Sequence, residues 1–291
     1  MSLEGFQKKI KTITDLKDVV STMKMLSSVQ VGTYEKMGTA LRSYQRNLRQ
    51  ALIAVAPQLP PGVVHKIKES PKTLAIVIGT DTGLVGGFNK DVWRFVRRYF
   101  DQGNEKPVFL FVGRRLASFF DKPLAVYPVS NAMKEFSVFL TEVVNQMDTF
   151  VQTRGQKVLV FYQRKAEKGQ EKLVVRQLLP FPMTYQNDLK GQPWGRCVPM
   201  VPKVQAVWEH LKQEYLKVWL LKALIASQIA EHHKRMINMQ QAEKNISEEL
   251  DRVNLLYQQA RQNVITEELI DIVSGAEVLK KKSVPCYNQV T

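Results

Sequence analysis

The sequence predicts an α plus α/β fold: a long antiparallel coiled coil of the N- and C-terminal helices with an inserted Rossmann-like α/β domain. Residues 203–274, a run of 72, contain neither glycine nor proline, the two strongest interrupters of a helix. The chain also begins with apolar residues at helical spacing, and strands alternate with helices between the two ends. The predicted segments are an N-terminal helix 1–56, an α/β domain with linkers 57–202, a C-terminal helix 203–279 and a tail 280–291.

The N-terminal helix is predicted from apolar residues at alternating steps of three and four, which place them on one helical face. The prolines that follow, first at position 57 and then at 60 and 61, set its end. The apolar positions that begin this face are Leu3, Phe6, Ile10, Ile13, Leu16, Val20 and Met23.

The C-terminal helix would approach a length of about 110 Å, too long to bury its apolar stripe within its own domain. It therefore needs a second helix, and a partner protein around it. Its near-heptad stripe is interrupted by three polar residues, Gln228, His232 and Glu243. The stripe consists of Val218, Leu221, Ile225, Met236, Met239, Ile246, Leu250, Val253, Tyr257, Ala260 and Val264.

The middle of the chain is predicted to be a three-layer, mainly parallel sheet with a mixed edge. A hairpin around residues 168–170 closes it, and a linker rich in proline and glycine, 182–202, leads into the last helix. The predicted strands are 73–78, 108–112, 123–129, 157–163 and 172–179, and the predicted helices end at Phe100, cover 114–120 and cover 131–152.

Composition argues against two classes of protein. The formal charge is +15, but the excess is spread along the chain, and 280–282 is the only run of three lysines, so nucleic-acid binding is not favoured. No apolar run reaches the ~18 residues that cross a bilayer, and no leader segment is expected at the start.

Sequence motifs for chemistry are weak. The glycine-rich turn at 83–87 follows a strand, where phosphate loops occur, but it fits neither dinucleotide nor P-loop patterns, so a tight structural turn is the favoured interpretation. Glu231, His232 and His233 lack the i, i+4 spacing of a zinc site and are interpreted as a solvated or partner-facing patch. We therefore predict no catalytic residues, no cofactor and no metal.

Several ordered motifs resemble one family. Residues 265–276, ITEELIDIVSGA, resemble the C-terminal pattern I-T-x-E-L-x-[DE]-I-x-S-G-A of the gamma subunit, or central stalk, of F-type ATP synthases. Residues 230–245 resemble its E-H-x-x-R-M-x-x-M-x-x-A-x-x-N pattern, 260–262 its A-R-Q, 23–25 its M-K-M and 80–89 its S-D-R-G-L-C-G-G-L-N. Thr82 and Val85 replace the usual Arg and Cys of that turn, as in a divergent or paralogous member.

The resemblance implies a central-stalk rotor that couples ion flow through a membrane ring to ATP synthesis or hydrolysis in an alpha/beta sleeve. An asymmetric shaft in a threefold sleeve holds the catalytic subunits in different affinity states and exchanges those states as it turns. The implied partners are the alpha and beta subunits, the epsilon subunit and the membrane c-ring. The chain would be a non-catalytic, peripheral membrane subunit on the cytoplasmic side of a bacterial energy-transducing membrane.

The resemblance also implies which residues contact the sleeve. On the C-terminal helix these are Arg261, Gln262, Thr266 and Glu268, and on the N-terminal helix Met23 and Lys24.

Two other functions remain open. The chain could be a non-rotary coiled-coil scaffold or adaptor of the same fold, or a nucleotide-binding enzyme that uses the turn at 80–89.

Overall fold

A computed structural model describes residues 2–59, 72–102, 107–120, 123–129, 133–153, 155–166, 171–180 and 203–282. The elements in chain order are α1 (Leu3–Val55), a 3-10 turn (Ala56–Gln58), β1 (Lys72–Ile78), α2 (Phe88–Asp101), β2 (Val108–Val112), α3 (Arg114–Ala117), β3 (Ala125–Tyr127), α4 (Met133–Thr153), β4 (Gly155–Lys165), β5 (Glu171–Leu179) and α5 (Val204–Lys282).

The chain forms two compact units, and both α1 and α5 contribute to each. Unit 1 consists of residues 1–24 and 239–291, and unit 2 of residues 25–238. The domain boundaries predicted at 56/57 and 202/203 were placed at the end of the first long helix and the start of the last one. They stay a prediction.

Unit 1 is an antiparallel pair of helical segments. Gln7 donates a hydrogen bond to the Tyr257 hydroxyl over 3.0 Å, and Lys24 pairs with Glu243 further along. The partner number on α5 falls as the number on α1 rises, as an antiparallel pair requires. Ile13 and Val253 are buried, so the apolar stripes meet inside this pair.

The sheet of unit 2 has the strand order β3-β2-β1-β4-β5. The first four strands in that order are parallel, and β5 is antiparallel to β4. The predicted parallel sheet with a mixed edge is therefore confirmed. The predicted hairpin turn at 168–170 and the linker at 182–202 lie outside the described residues.

Side chains of β1 alternate between two apolar layers, because successive residues of a strand point to opposite faces. Leu74, Ile76 and Ile78 face a core shared with α1, α4 and α5. Ala75 and Val77 face a core shared with α2 and α3. All five are completely buried, which explains why this strand reads as a continuous apolar run.

Three sequence expectations about the helices need correction. The short helix predicted for 114–120 ends at Ala117, and the last helix continues to Lys282, three residues beyond the predicted end at 279. The apolar side of α5 is also not reserved for another helix. Leu216, Leu220 and Leu224 are buried in the core beneath the sheet, so part of the long helix does bury its surface within unit 2.

Gly113 has no room for a side chain and a backbone conformation that side chains disfavour. Its φ is +114°, and an added Cβ would lie 2.7 Å from the carbonyl carbon of Gly79 and from the amide nitrogen of Thr80. We expect Gly113→Ala to lower the free energy of unfolding by about 3 kcal/mol, through backbone strain and overpacking. Urea unfolding followed by circular dichroism measures this change.

Gly32 provides the matched control for that substitution. It lies inside α1, and an added Cβ would meet nothing within 4 Å. Gly32→Ala should therefore stabilise the chain by about 0.5–1 kcal/mol, as in other helix interiors. Equal losses for both variants would contradict the steric explanation at Gly113.

Candidate partner-binding surface and the anchored turn

The four residues predicted on α5 to contact a partner lie together on an exposed helical segment. Arg261, Gln262, Thr266 and Glu268 are all exposed. The Thr266 hydroxyl donates a hydrogen bond to the Gln262 carbonyl over 2.8 Å, within the helix. Their charged and amide groups are therefore placed where a second protein could reach them.

The two residues predicted on α1 lie elsewhere in unit 1. Met23 and Lys24 are partly buried, and Lys24 forms an ion pair with Glu243. Arg261 lies eighteen residues beyond Glu243 on α5, about 27 Å along the helix. The structure does not bring the two predicted groups together. It also explains why a glutamate interrupts the apolar stripe at 243: its carboxylate pairs with the opposite helix.

The segment of α5 from Arg261 to Glu277 is exposed at every position. Within unit 1, Gln7 lies opposite Tyr257 and α1 begins at Leu3, so among the described residues α1 can face α5 only to about one turn beyond Tyr257. Large apolar side chains on this segment have exposed fractions of 36–68%: Val264, Ile265, Leu269, Ile270, Ile272 and Val273. Such a contiguous apolar surface is typical of a protein interaction site.

A buried ion pair anchors the glycine-rich turn of unit 2 to α5. The Arg235 guanidinium lies 2.6 Å from the Glu231 carboxylate, and only 11% and 5% of these side chains are exposed. Thr82, in the turn, donates a hydrogen bond to the same carboxylate over 3.1 Å. Burial raises the pKa of Glu231, and the Arg235 charge opposes that rise.

Backbone carbonyls of the turn are also bound by α5. Arg235 donates to the Gly83 carbonyl over 3.3 Å, and Asn238 donates to the Leu84 carbonyl over 3.2 Å. Leu84 has a positive φ of 65°. The turn is therefore a docking point for the last helix, which supports the structural interpretation over a phosphate loop.

Asp81 joins this turn to two further loops. One carboxylate oxygen accepts a hydrogen bond from the Arg114 amide over 2.6 Å, and the other accepts from the Val129 amide over 2.7 Å. Asp81 thus accepts hydrogen bonds from one backbone amide at the start of α3 and from one in the segment after β3. Its role in unit 2 is to hold these backbone segments together.

The interpretation of residues 231–233 as a solvated or partner-facing patch was wrong. Glu231 and His233 are buried, with exposed fractions of 4% and 9%, and Gln228 beside them is buried at 2%. The i, i+4 spacing of Glu231 and Arg235 on a helix was the available signal, since such pairs face each other. Sequence could not show that the turn at 80–89 would cover this pair.

His232 stacks on Tyr34 of α1, with ring centroids 5.7 Å apart. Arg235 Nη1 lies 3.0 Å from His232 Nδ1, so the neutral ring accepts a hydrogen bond there. Burial, and then the Arg235 charge, lower the pKa of His232 to about 4. The stack links α1 to α5 within unit 2.

The lowered pKa of His232 predicts an acid-sensitive contribution to stability. Below pH 6.5 His232 becomes protonated in the unfolded chain, whereas in the folded chain it stays neutral until the pH approaches its lowered pKa of about 4. Stability present above pH 6.5 should therefore be lost as pH falls towards 4. We expect a loss of about 1–2 kcal/mol after allowance for solvent screening of this partly exposed ring.

The measurement is urea unfolding between pH 7 and 4, for the natural chain and for His232→Phe. The phenylalanine ring can still stack on Tyr34 but does not titrate. The unfolding free energy of the natural chain should fall relative to that of His232→Phe as the pH falls, because only the natural chain has this titrating ring. A difference that does not change with pH would show that His232 does not titrate as proposed.

No described helix is both long enough and apolar enough to span a membrane. Comparison with protein families places almost the entire chain in one family. The model described as ATP synthase matches residues 2–279.

Sequence relatives carry a more specific name. The chain is 27% identical to the ATP synthase gamma chain of Bdellovibrio bacteriovorus over 292 aligned residues, which cover 96% of this chain and 99% of the relative. It is 29% identical to the ATP synthase gamma chain of Halothermothrix orenii, with the same coverage of 96% and 99%.

Solved structures share the fold. A chain of the mitochondrial ATP synthase of Euglena gracilis, from a structure of OSCP, F1 and c-ring in rotational state 3, matches with a TM-score of 0.63 at 17% identity, covering 99% of this chain and 98% of the other. A chain of the rotor of the same enzyme in rotational state 1 matches with a TM-score of 0.59 at 20% identity, covering 90% and 98%.

These findings confirm the predicted fold class, in which helical termini flank a mixed sheet, and they support the central-stalk rotor as the main function. The chain therefore belongs to the ATP synthase family, and its resemblance to the gamma subunits of that family, predicted from the sequence, is confirmed.

Proposed function

We propose that the chain transmits rotation through the exposed end of α5, which turns inside a sleeve of alpha and beta subunits. The observation that supports this most directly is the run of exposed apolar residues beyond Arg261. An isolated helical segment with that surface is marginal in water, so it needs a surrounding protein. A sleeve would cover it on several sides.

The proposed contacts differ along the chain. Arg261, Gln262, Thr266 and Glu268 would meet the sleeve through charged and polar groups. Met23 and Lys24 would contribute on α1, with Lys24 held in place by Glu243. The α/β part would contact the epsilon subunit and the membrane c-ring. A solved relative of the same fold is described as part of a rotor, and another comes from an assembly with F1 and c-ring.

In this role the chain performs no bond chemistry of its own. ATP is made or hydrolysed in the sleeve, and the shaft biases the affinities of the catalytic sites because it contacts each of them differently. The chain would be a peripheral subunit on the cytoplasmic side of a bacterial membrane. The bacterial sources of the sequence relatives support the bacterial origin.

Co-purification with alpha and beta subunits tests the proposal. A rotor should elute with both subunits as a complex that hydrolyses ATP and pumps ions. A scaffold or adaptor of the same fold would lack that activity. A complex that assembles without this chain and pumps equally well would contradict the rotor function.

Two single substitutions locate the contact. Leu269 and Val138 are both exposed apolar residues, at 56% and 70%, on α5 and α4 respectively. Leu269→Ser should weaken assembly with alpha and beta about tenfold, because it removes apolar area from the interface. Val138→Ser should leave that assembly unchanged within twofold. Equal effects would place the contact elsewhere.

A further inference from the structure

Four cationic side chains from different elements of unit 2 lie close enough for their charges to repel one another: Arg42 of α1, Arg164 of β4, Arg176 of β5 and Lys222 of α5. The antiparallel register pairs Arg164 with Lys172 and Val160 with Arg176. Directly paired residues share a face, so Arg176 projects from the same face as Val160. Val160 and Arg164 lie four positions apart on β4, and side chains at even spacing along a strand share a face, so both arginines project from the same face of the sheet.

Two of these cations lie against the ring of Trp219. The Arg176 guanidinium carbon lies 3.4 Å from the ring centroid, and the Lys222 ammonium lies 4.5 Å from it. Cation–π contacts of this kind fix the position of a charge without neutralising it. The Trp219 ring therefore holds two positive charges close to it.

The helices complete the arrangement. Lys222 donates a hydrogen bond to the Gln45 side chain over 3.1 Å. Arg42 lies three residues before Gln45 on α1, and residues with that spacing are neighbours on one helical face. Arg42 and Arg164 are exposed and form a rim, whereas Arg176 and Lys222 are half-buried.

The positive charge of the cluster is not balanced by any described carboxylate. Among the residues that the structure describes, none of the four cations forms an ion pair. The acids of this region pair with other lysines: Glu35 with Lys165, Glu214 with Lys217 and Glu171 with Lys234. Burial lowers the pKa of Lys222, and Arg176, Arg42 and Arg164 lower it further by repulsion.

Two buried donors of the cluster also lack hydrogen-bond partners in the described structure. They are Nε2 of Gln45 and Nε of Arg176. Buried donors in native proteins are normally satisfied, so each unsatisfied one needs an explanation. Here both belong to side chains that hold or form the cationic site.

We propose that Arg42, Arg164, Arg176 and Lys222 form a binding site for a phosphate-containing ligand with two or more negative charges. A single carboxylate would neutralise one charge and offer two oxygens. A phosphate or diphosphate group offers more oxygens and more charge, which suits several cations from different directions. Arg176 and Lys222 are half-buried, and their attraction for an anion is stronger there because the effective dielectric constant is lower than in bulk water.

This site is independent of the proposed rotor function. It lies in unit 2, whereas the exposed apolar end of α5 belongs to unit 1. Binding can therefore be measured on the isolated full-length chain, without sleeve or membrane. Failure of one proposal leaves the other untouched.

The first experiment is calorimetric titration of the full-length chain with pyrophosphate at low ionic strength. The natural chain should show saturable binding. Arg164→Gln should weaken binding about tenfold or more, the effect of losing one hydrogen bond to a charged group. Arg164 is exposed and lies on the rim, so this change should preserve the fold.

Arg97→Gln is the matched control, because it removes the same charge from the exposed face of α2. It should change pyrophosphate affinity by less than twofold. Absence of saturable binding to the natural chain, or equal weakening by both substitutions, would overturn the proposal. Binding of a polyglutamate peptide without binding of any phosphate compound would overturn it as well.

A second arm separates a soluble ligand from a lipid headgroup. The full-length chain is mixed with vesicles of phosphatidylglycerol or of phosphatidylcholine and separated by flotation. Binding to phosphatidylglycerol vesicles that Arg164→Gln abolishes and Arg97→Gln retains assigns the site to a lipid phosphate. Binding of pyrophosphate with no vesicle binding assigns it to a soluble phosphate ester.

Discussion

Reversing the charge of Arg261 is expected to uncouple ATP hydrolysis from ion pumping while the chain stays folded. Arg261 is exposed on α5, in the segment that we propose to contact the sleeve. Arg261→Glu would place a negative charge where the natural chain presents a positive one. Loss of one partner in a close charge pair and the new repulsion should lower pumping per ATP hydrolysed about five- to tenfold.

The measurement is ATP-driven proton pumping by the assembled complex, with ATP hydrolysis recorded in parallel. Circular dichroism should show unchanged helicity, because the position is far from the last turn, where the helix dipole acts. Lys90→Glu, an equal charge reversal at an exposed position of α2, is the control and should pump normally. Normal pumping by Arg261→Glu would refute the proposed contact.

Removing the guanidinium of Arg235 is expected to cause the largest loss of stability of any polar substitution considered. Arg235→Met would leave the buried Glu231 carboxylate without its cation and would free the Gly83 carbonyl of the turn. Breaking a buried pair by removing one partner costs about 3–5 kcal/mol. Urea unfolding at neutral pH measures this change.

The same substitution at Arg97 is the control. Arg97 lies 3.7 Å from Asp101, and both side chains are more than half exposed, at 64% and 70%. Exposed pairs contribute little, so Arg97→Met should change stability by less than about 1 kcal/mol. A second substitution, Glu231→Gln, should restore part of the loss in Arg235→Met, because it removes the unpaired charge. No restoration would mean that the ion pair is not the cause.

Most of the fold could be predicted from local patterns. The absence of glycine and proline over residues 203–274 predicted a helix, and the structure continues it to Lys282. The strand predicted at 73–78 is found as Lys72–Ile78, since a strand covered on both faces is apolar throughout. The short helix after Gly113 was predicted less well, because a single turn carries no periodicity.

The candidate contact residues depended on the resemblance rather than on their chemistry. Arg261 and Thr266 are ordinary surface residues of a helix, and nothing in their spacing indicates a partner. The structure adds that this part of α5 is exposed and apolar as well as charged. That combination of surfaces is what a second protein can use.

The sequence by itself determined the two long helices, the strands between them and the family to which the chain belongs, because periodicity and motifs are local properties. Only the tertiary structure decided which polar residues are buried or paired. Glu231 became buried because the turn at 80–89 folds over it, and Glu243 became paired because Lys24 lies opposite. Residues far apart in the chain created both environments, so no local pattern could carry that information.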